Sequence, residues 1–197
     1  SGFYGVLFLY VAVMGAVHAV LLGSTLVSKE ERDRTSEFLY AKPITRSRAL
    51  TAKLLAGLAN VVVLNVVASA ASLYFVGYFG DGRRSSDEIR VLTVGLLLLQ
   101  LVFLAVGAAV AGVARRPKAA PSRATSLMLV TFLLYYLVNL NEDLAVLRYF
   151  TPFKYVDAAT LMADGALDPV FVALALVIVG AAIATTYRAF AARDLAV

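Results

Sequence analysis

Cysteine is absent from all 197 residues, which excludes disulfides, thiolate metal sites and cysteine nucleophiles together. Histidine is nearly absent, with His18 standing alone. Without a second imidazole a metal site needs carboxylates, and none of the long apolar stretches supplies one. His18 is therefore expected to pack or to hydrogen-bond, and no metal site and no bound cofactor are expected. The 13 glycines and 5 prolines show no period, which excludes a collagen-like chain. No G-x-x-x-x-G-K-[ST] phosphate loop occurs, so the chain has no nucleotide-hydrolysing motif of its own and no catalytic residues are assigned. Charge is scarce as well. Only 16% of residues are Asp, Glu, Lys or Arg, and 61% are hydrophobic, against about 25% and roughly 45–50% in soluble domains. That surplus of apolar surface excludes a water-soluble globule, and it excludes intrinsic disorder too.

What is present is a set of uncharged runs. Residues 6–27, 54–79, 91–114, 124–141 and 169–187 contain no charged side chain and are 22, 26, 24, 18 and 19 residues long. A membrane-spanning helix takes about 17–25 apolar residues. Lipid offers unpaired backbone groups no partner, so only helices or closed barrels cross it. The alternation of a barrel strand is missing from runs such as Val91-Leu92-Thr93-Val94-Gly95-Leu96-Leu97-Leu98-Leu99. The expected fold is all-α: a single transmembrane domain over residues 1–197 with five spanning helices.

The net charge of +5 has to be read by position. Segment 29–53 carries seven basic residues (Lys29, Arg32, Arg34, Lys42, Arg46, Arg48, Lys53), and 115–123 carries four (Arg115, Arg116, Lys118, Arg123). The tail adds Arg188 and Arg193. The alternate connections, 80–90 and 142–168, hold five basic against eight acidic residues. Basic residues concentrate on the cytoplasmic side of a membrane. The N-terminus is thus expected outside and the C-terminus in the cytoplasm, and the partner implied is a lipid bilayer rather than nucleic acid. The chain begins Ser1-Gly2-Phe3, with no basic stretch before its first run, so that run is a poor signal peptide. A preceding helix that returns the N-terminus to the inside is expected in the parent protein, for six spans in all.

Segment 29–48 is the most informative. Ser28 and Glu31 have capping-box spacing, although Ser28 also suits the interior of a helix leaving the membrane. Thr35 is a second cap candidate, with Glu37 in the first turn of a short helix that Pro43 ends. Phe38, Leu39 and Tyr40 make an apolar knob on a charged loop, and Thr45 precedes the next helix. Two readings stay open on these residues. One is a polar loop with aromatics on the headgroups; the other is a docking helix whose Phe38 and Leu39 fill a partner's groove while Glu37 and the arginines set register.

The order Glu30-Glu31, Arg34-Thr35, Glu37-Phe38-Leu39, Lys42-Pro43-Ile44, then Arg46 and Lys53, resembles the coupling-helix region of type-2 ABC exporter permeases. Thr151-Pro152-Phe153-Lys154-Tyr155-Val156-Asp157 with Gly165-Ala166-Leu167-Asp168 is similar to the outer segment before that family's last helix. Phe190-Ala191-Ala192-Arg193-Asp194-Leu195 is similar to its ending. The likeness covers essentially the whole chain; Arg34 stands where glycine is common, and the first of six helices is absent. The resemblance implies a permease subunit of an ATP-driven exporter, in the plasma (inner) membrane. It further implies a cytoplasmic ABC ATPase subunit that binds ATP and Mg, and a second permease subunit, identical or related. The same resemblance makes Glu30, Glu31, Arg34, Thr35, Glu37, Phe38, Leu39, Pro43, Ile44 and Arg46 the surface that meets the ATPase. Glu30-Glu31 with Arg34 also resembles the glutamate pair of intramembrane proteases, but the spacing is one short and the required histidines are missing, so an enzyme is not expected.

Acidic residues inside spans usually mark ion relays. Their absence from all five runs argues against an ion-coupled secondary carrier; a membrane scaffold or sensor that docks a cytoplasmic protein remains an alternative. Asn60, Asn65 and Gln100 are the best-placed polar residues for lining a translocation path, and interhelical hydrogen bonding is the competing role for them and for Asn139 and Asn141. Gly107/Ala111, Ala108/Gly112 and Gly180/Ala184 suit close helix packing. Segment 142–168 is too short and charged to span, and its aromatics suit an interfacial or re-entrant element, with an outer gate as the functional version. Asp81-Gly82 reads as a tight turn.

Overall fold

The computed structural model describes residues 2–32, 45–79 and 84–192. In chain order its helices are α1 (Gly2–Arg32), α2 (Arg46–Phe79), α3 (Arg84–Val113), α4 (Ala120–Leu140), α5 (Pro152–Tyr155), α6 (Ala158–Asp164) and α7 (Pro169–Ala192). Short 3-10 stretches at Pro117–Ala119 and Glu142–Phe150 flank α4. No strand occurs among the described residues. Five helices are long and apolar enough to cross a membrane, over Val6–Lys29, Ser47–Phe75, Asp87–Val113, Pro117–Leu140 and Pro169–Ala192. The Asp81-Gly82 turn lies outside the described residues.

The helices overrun the uncharged runs. α1 continues to Arg32, and α2 takes in Arg48 and Lys53 before its apolar part begins. Charge marks where lipid ends, whereas a helix continues until its backbone bonding is broken, and Lys, Arg and Glu are good helix formers. Ser28 accordingly lies within α1, its hydroxyl donating to the Ser24 carbonyl at 2.8 Å, as Ser24 does to Val20. Thr45 stands just before α2, its carbonyl accepting from the Ala49 N–H at 3.1 Å.

α3 is the centre of the bundle and touches α1, α2, α4 and α7. Buried residues make up 61% of its span, against 11–33% in the other four. The tightest crossing is with α1, where the apolar stripe Ala12, Ala16, Ala19, Val20 and Val27 is almost wholly buried. A Cβ added to Gly23 would collide with the Leu104 carbonyl oxygen, and one added to Gly107 with the Val20 carbonyl oxygen. Two backbones in direct contact gain dispersion over a long seam, which is how helices associate where no hydrophobic effect drives them together. Gly112 brings α3 against α7 in the same way, its Cβ position lying 3.3 Å from Thr186 Cα. Gly180 and Ala184 differ: both are on the exposed face of α7, and a Cβ on Gly180 meets nothing within 4 Å among the described residues. Spacing defines a helix face but not what lies against it.

Between α4 and α7 the chain does not merely rest on the bundle. Phe153 is buried with its ring 5.2 Å from Phe132 and 5.3 Å from Phe103. Tyr155 stacks on Phe171 at 5.0 Å, and buried Thr151 donates to the Thr131 carbonyl at 2.8 Å. Val146 and Phe150 remain exposed. Asp157 Oδ1 accepts from Ala159 N–H at 3.0 Å and so caps α6; Gly165, at φ +65°, ends it in the left-handed conformation that glycine tolerates.

Replacing Gly107 or Gly23 by leucine is expected to cost about 1–3 kcal/mol or more through overpacking, and Gly180→Leu about 0.5 kcal/mol or less. Thermal unfolding of the three variants in detergent checks this order.

Candidate functional site

The stems of segment 29–48 are firmly held. α1 ends and α2 begins on a small second core of Val27, Leu50, Ala108, Ala111, Ala114, Ala120 and Phe190, with Leu54 and Tyr187 packed against it. The Thr51 hydroxyl donates to the Ser47 carbonyl at 2.8 Å, which leaves its oxygen to accept from Tyr187 Oη at 2.6 Å and tie α2 to α7. Glu30 and Glu31 lie in the last turn of α1, and Arg46 opens α2. Arg34, Thr35, Glu37, Phe38, Leu39, Pro43 and Ile44 lie outside the described residues. Exposed Lys29, Arg48, Arg115, Arg116, Lys118, Arg123 and Arg188 all fall at this end of the bundle, because the spans run antiparallel in turn.

Of the three polar residues singled out for lining a path, two meet. Asn65 of α2 and Gln100 of α3 are buried and paired, Asn65 Nδ2 donating to Gln100 Oε1 and to the Val61 carbonyl at 2.9 Å. They sit in a cavity of about 410 Å3 between α1, α2 and α3, together with Tyr10, Met14, Gly15 and His18. Asn60 is exposed and does not join them. Five residues along a helix rotate a side chain by about 140° from Asn65, so one helix cannot present both to the same cavity. Gly15 went unnoticed in the sequence. A Cβ there would lie 2.8 Å from Gln100 Nε2, so the glycine makes room for the glutamine. One turn further along α2, Ser69 donates to Thr93 of α3 at 3.1 Å.

At the opposite end of the bundle a larger cavity, about 770 Å3, is lined by Phe8, Leu9, Glu88, Tyr135, Asp157 and Met162 among others. Lys154 Nζ sits beside it and donates to Asp157 Oδ2 at 2.7 Å and to Asn139 Oδ1 at 2.8 Å. The Lys154 and Asp157 side chains are only 25% and 12% exposed, so this pair is shielded and fastens the connection to the end of α4. Its i,i+3 spacing in 151–157 was visible, but not the third member, Asn139. Among the described residues no three His, Asp or Glu side chains gather to hold a metal ion.

A bundle of five apolar helices, charged at its ends and polar at two internal points, defines a polytopic membrane protein. The family model described as ABC-2 family transporter protein matches residues 6–195, and the chain belongs to that family: it is a membrane permease of the ABC transporter class. Permeases of this family work with a cytoplasmic ATPase and often with a second permease. Among curated proteins and among solved structures nothing matches the chain.

Burial raises the Tyr155 hydroxyl above the ordinary tyrosine pKa, and that hydroxyl donates to the Tyr149 carbonyl. The raised folded-state value makes this contribution whole below pH of about 10 and lost as pH climbs through the folded pKa. Tyr155→Phe is expected to cost about 1 kcal/mol at pH 7 and to flatten the fall of melting temperature above pH of about 10. Melting curves in detergent across the alkaline range measure both.

Proposed function

We propose that the chain is the membrane-spanning subunit of an ATP-driven exporter in the plasma membrane. It forms a translocation path with a second permease subunit, identical or related, and couples through segment 29–48 to a separate cytoplasmic ATPase that binds ATP and Mg. The observation that carries this reading is the clamping of both stems of that segment on one buried core, with α3 at its centre. A push on Phe38 and Leu39 would move α1 and α2 as rigid levers. The core at their base would pass the displacement to α3, which touches every other span. A loop with free stems would absorb the same push by bending. The exposed basic residues at that end support a cytoplasmic position for it by the positive-inside rule, with the C-terminus on the same side.

Phe38→Ala combined with Glu37→Lys is expected to lower ATPase co-purification roughly tenfold or more, as loss of an interface anchor does. Transport-coupled hydrolysis should fall with it while the permease keeps its own melting temperature. Unchanged co-purification and hydrolysis would sink the coupling assignment.

Because no native cysteine competes, orientation is open to single-cysteine labelling. A membrane-impermeant maleimide on intact cells should modify Asp164→Cys and leave Lys118→Cys untouched until the membrane is opened; the reverse pattern inverts the topology.

A further inference from the structure

The cavity between α1, α2 and α3 combines three properties that a purely structural polar pair would not need. Its floor is buried and polar, with Asn65 and Gln100 only 4% and 1% exposed. Its rim is exposed and apolar, with Tyr10 and Met14 at 67% and 71%. Both rim residues lie inside the α1 span, so the mouth lies at the depth of the bilayer.

The hydrogen bonding of the floor is incomplete. Asn65 Nδ2 uses both its N–H groups, on Val61 and on Gln100. Asn65 Oδ1 is left as a buried acceptor with no partner among the described residues, and His18 Nδ1 is in the same condition. An amide oxygen without a donor is costly in any apolar setting. Closing the space with one more apolar side chain and one fewer amide would avoid that cost. Gly15 does the opposite, making room for the Gln100 amide where any Cβ would press on it. One water bridging Asn65 Oδ1 and His18 Nδ1 would fill only a small part of the space, and Val11, Met14, Leu64, Ala68 and Leu96 along the rest of the wall offer further water no partner. An ion is poorer still, because no Asp, Glu, Lys or Arg lines the cavity.

We infer that this cavity is a binding site for an uncharged amphiphile, an apolar molecule carrying one hydrogen-bond donor, of which a long-chain alcohol is the simplest form. The chain of such a molecule enters from the bilayer past Tyr10 and Met14. Its hydroxyl donates to Asn65 Oδ1, and His18 Nδ1 is a second polar atom within the same walls. The volume, about 410 Å3, falls in the usual range for small-molecule sites, roughly 300–1,000 Å3. The same chemistry has two sources, a lipid resident in the site and a cargo on its way through it. The cargo version rests on the permease function proposed above; the resident version does not.

The test is photolabelling of the full chain in lipid nanodiscs with a C16 primary alcohol carrying a mid-chain diazirine, against its methyl ether, which lacks only the donor. The alcohol should label α1 and α2 saturably, and the ether about tenfold more weakly, the order of one hydrogen bond. Asn65→Leu with Gln100→Leu, which removes both polar partners together, should bring the alcohol down to the level of the ether. Ala68→Phe, which fills the cavity wall and keeps both amides in the sequence, should abolish labelling by both. If the double variant fails to fold, Ala68→Phe and the alcohol-to-ether ratio decide the matter. Equal labelling by alcohol and ether, or full labelling in Ala68→Phe, overturns the site. In proteoliposomes with the ATPase, ATP-dependent depletion of the unlabelled alcohol identifies cargo and its retention identifies a resident lipid. Loss of all coupling to the ATPase would defeat the permease proposal and leave the labelling result standing.

Discussion

The contact between α1 and α3 organises the molecule. At Gly23 and Gly107 each helix lies against the other's carbonyl oxygen, with no side chain between them. In lipid the solvent is as apolar as leucine, so a helix pair gains little by hiding apolar surface. Close fit is what remains, and backbone-to-backbone approach gives the largest number of atom contacts per turn. Once α1 and α3 are locked, α3 has its remaining faces free for α2, α4 and α7, and it becomes the most buried span.

The two ends of the bundle are built differently from this common axis. At the basic end small residues of α3 (Ala108, Ala111, Ala114) meet Val27, Leu50 and Phe190, giving a compact footing for the stems of segment 29–48. At the other end the connection from α4 to α7 is fastened by aromatic rings and by the Lys154–Asp157–Asn139 cluster. The first is chiefly a joint of van der Waals contact, with the Thr51–Tyr187 hydrogen bond beside it. The second holds a shielded ion pair and a buried phenol, and burial disfavours the ionised form of that phenol.

Between these ends lies the polar cavity. The Asn65–Gln100 pair joins α2 to α3 in a setting with few competing partners, and the Ser69–Thr93 contact adds a second link. Beyond its footing at Leu50 and Thr51, α2 is sparsely packed, since only 17% of its span is buried. Most of its surface faces outward as Val62, Val63, Val66 and Val67. Directional bonds therefore do on α2 what close packing does on α1. The same bonds that anchor the helix leave one acceptor open, so adhesion and recognition share a side chain.

Much of the fold was readable along the chain because lipid imposes a one-dimensional rule: a run of about 20 uncharged residues must cross as a helix. Five such runs are five helices, and the family likeness was read from Glu30-Glu31 through Lys53, from 151–157 with 165–168, and from 190–195, stretches whose order survives without coordinates. What the rule does not contain is which helix faces touch. Gly107 and Gly180 carry similar small-residue spacings, yet one is pressed against a carbonyl and the other is open. Asn60 and Asn65 look alike on α2, but only Asn65 is buried against Gln100. Composition determines that a segment crosses, since crossing is an exchange between one helix and its solvent. Rotation about the helix axis leaves that exchange unchanged, so only contact between distant segments could decide it.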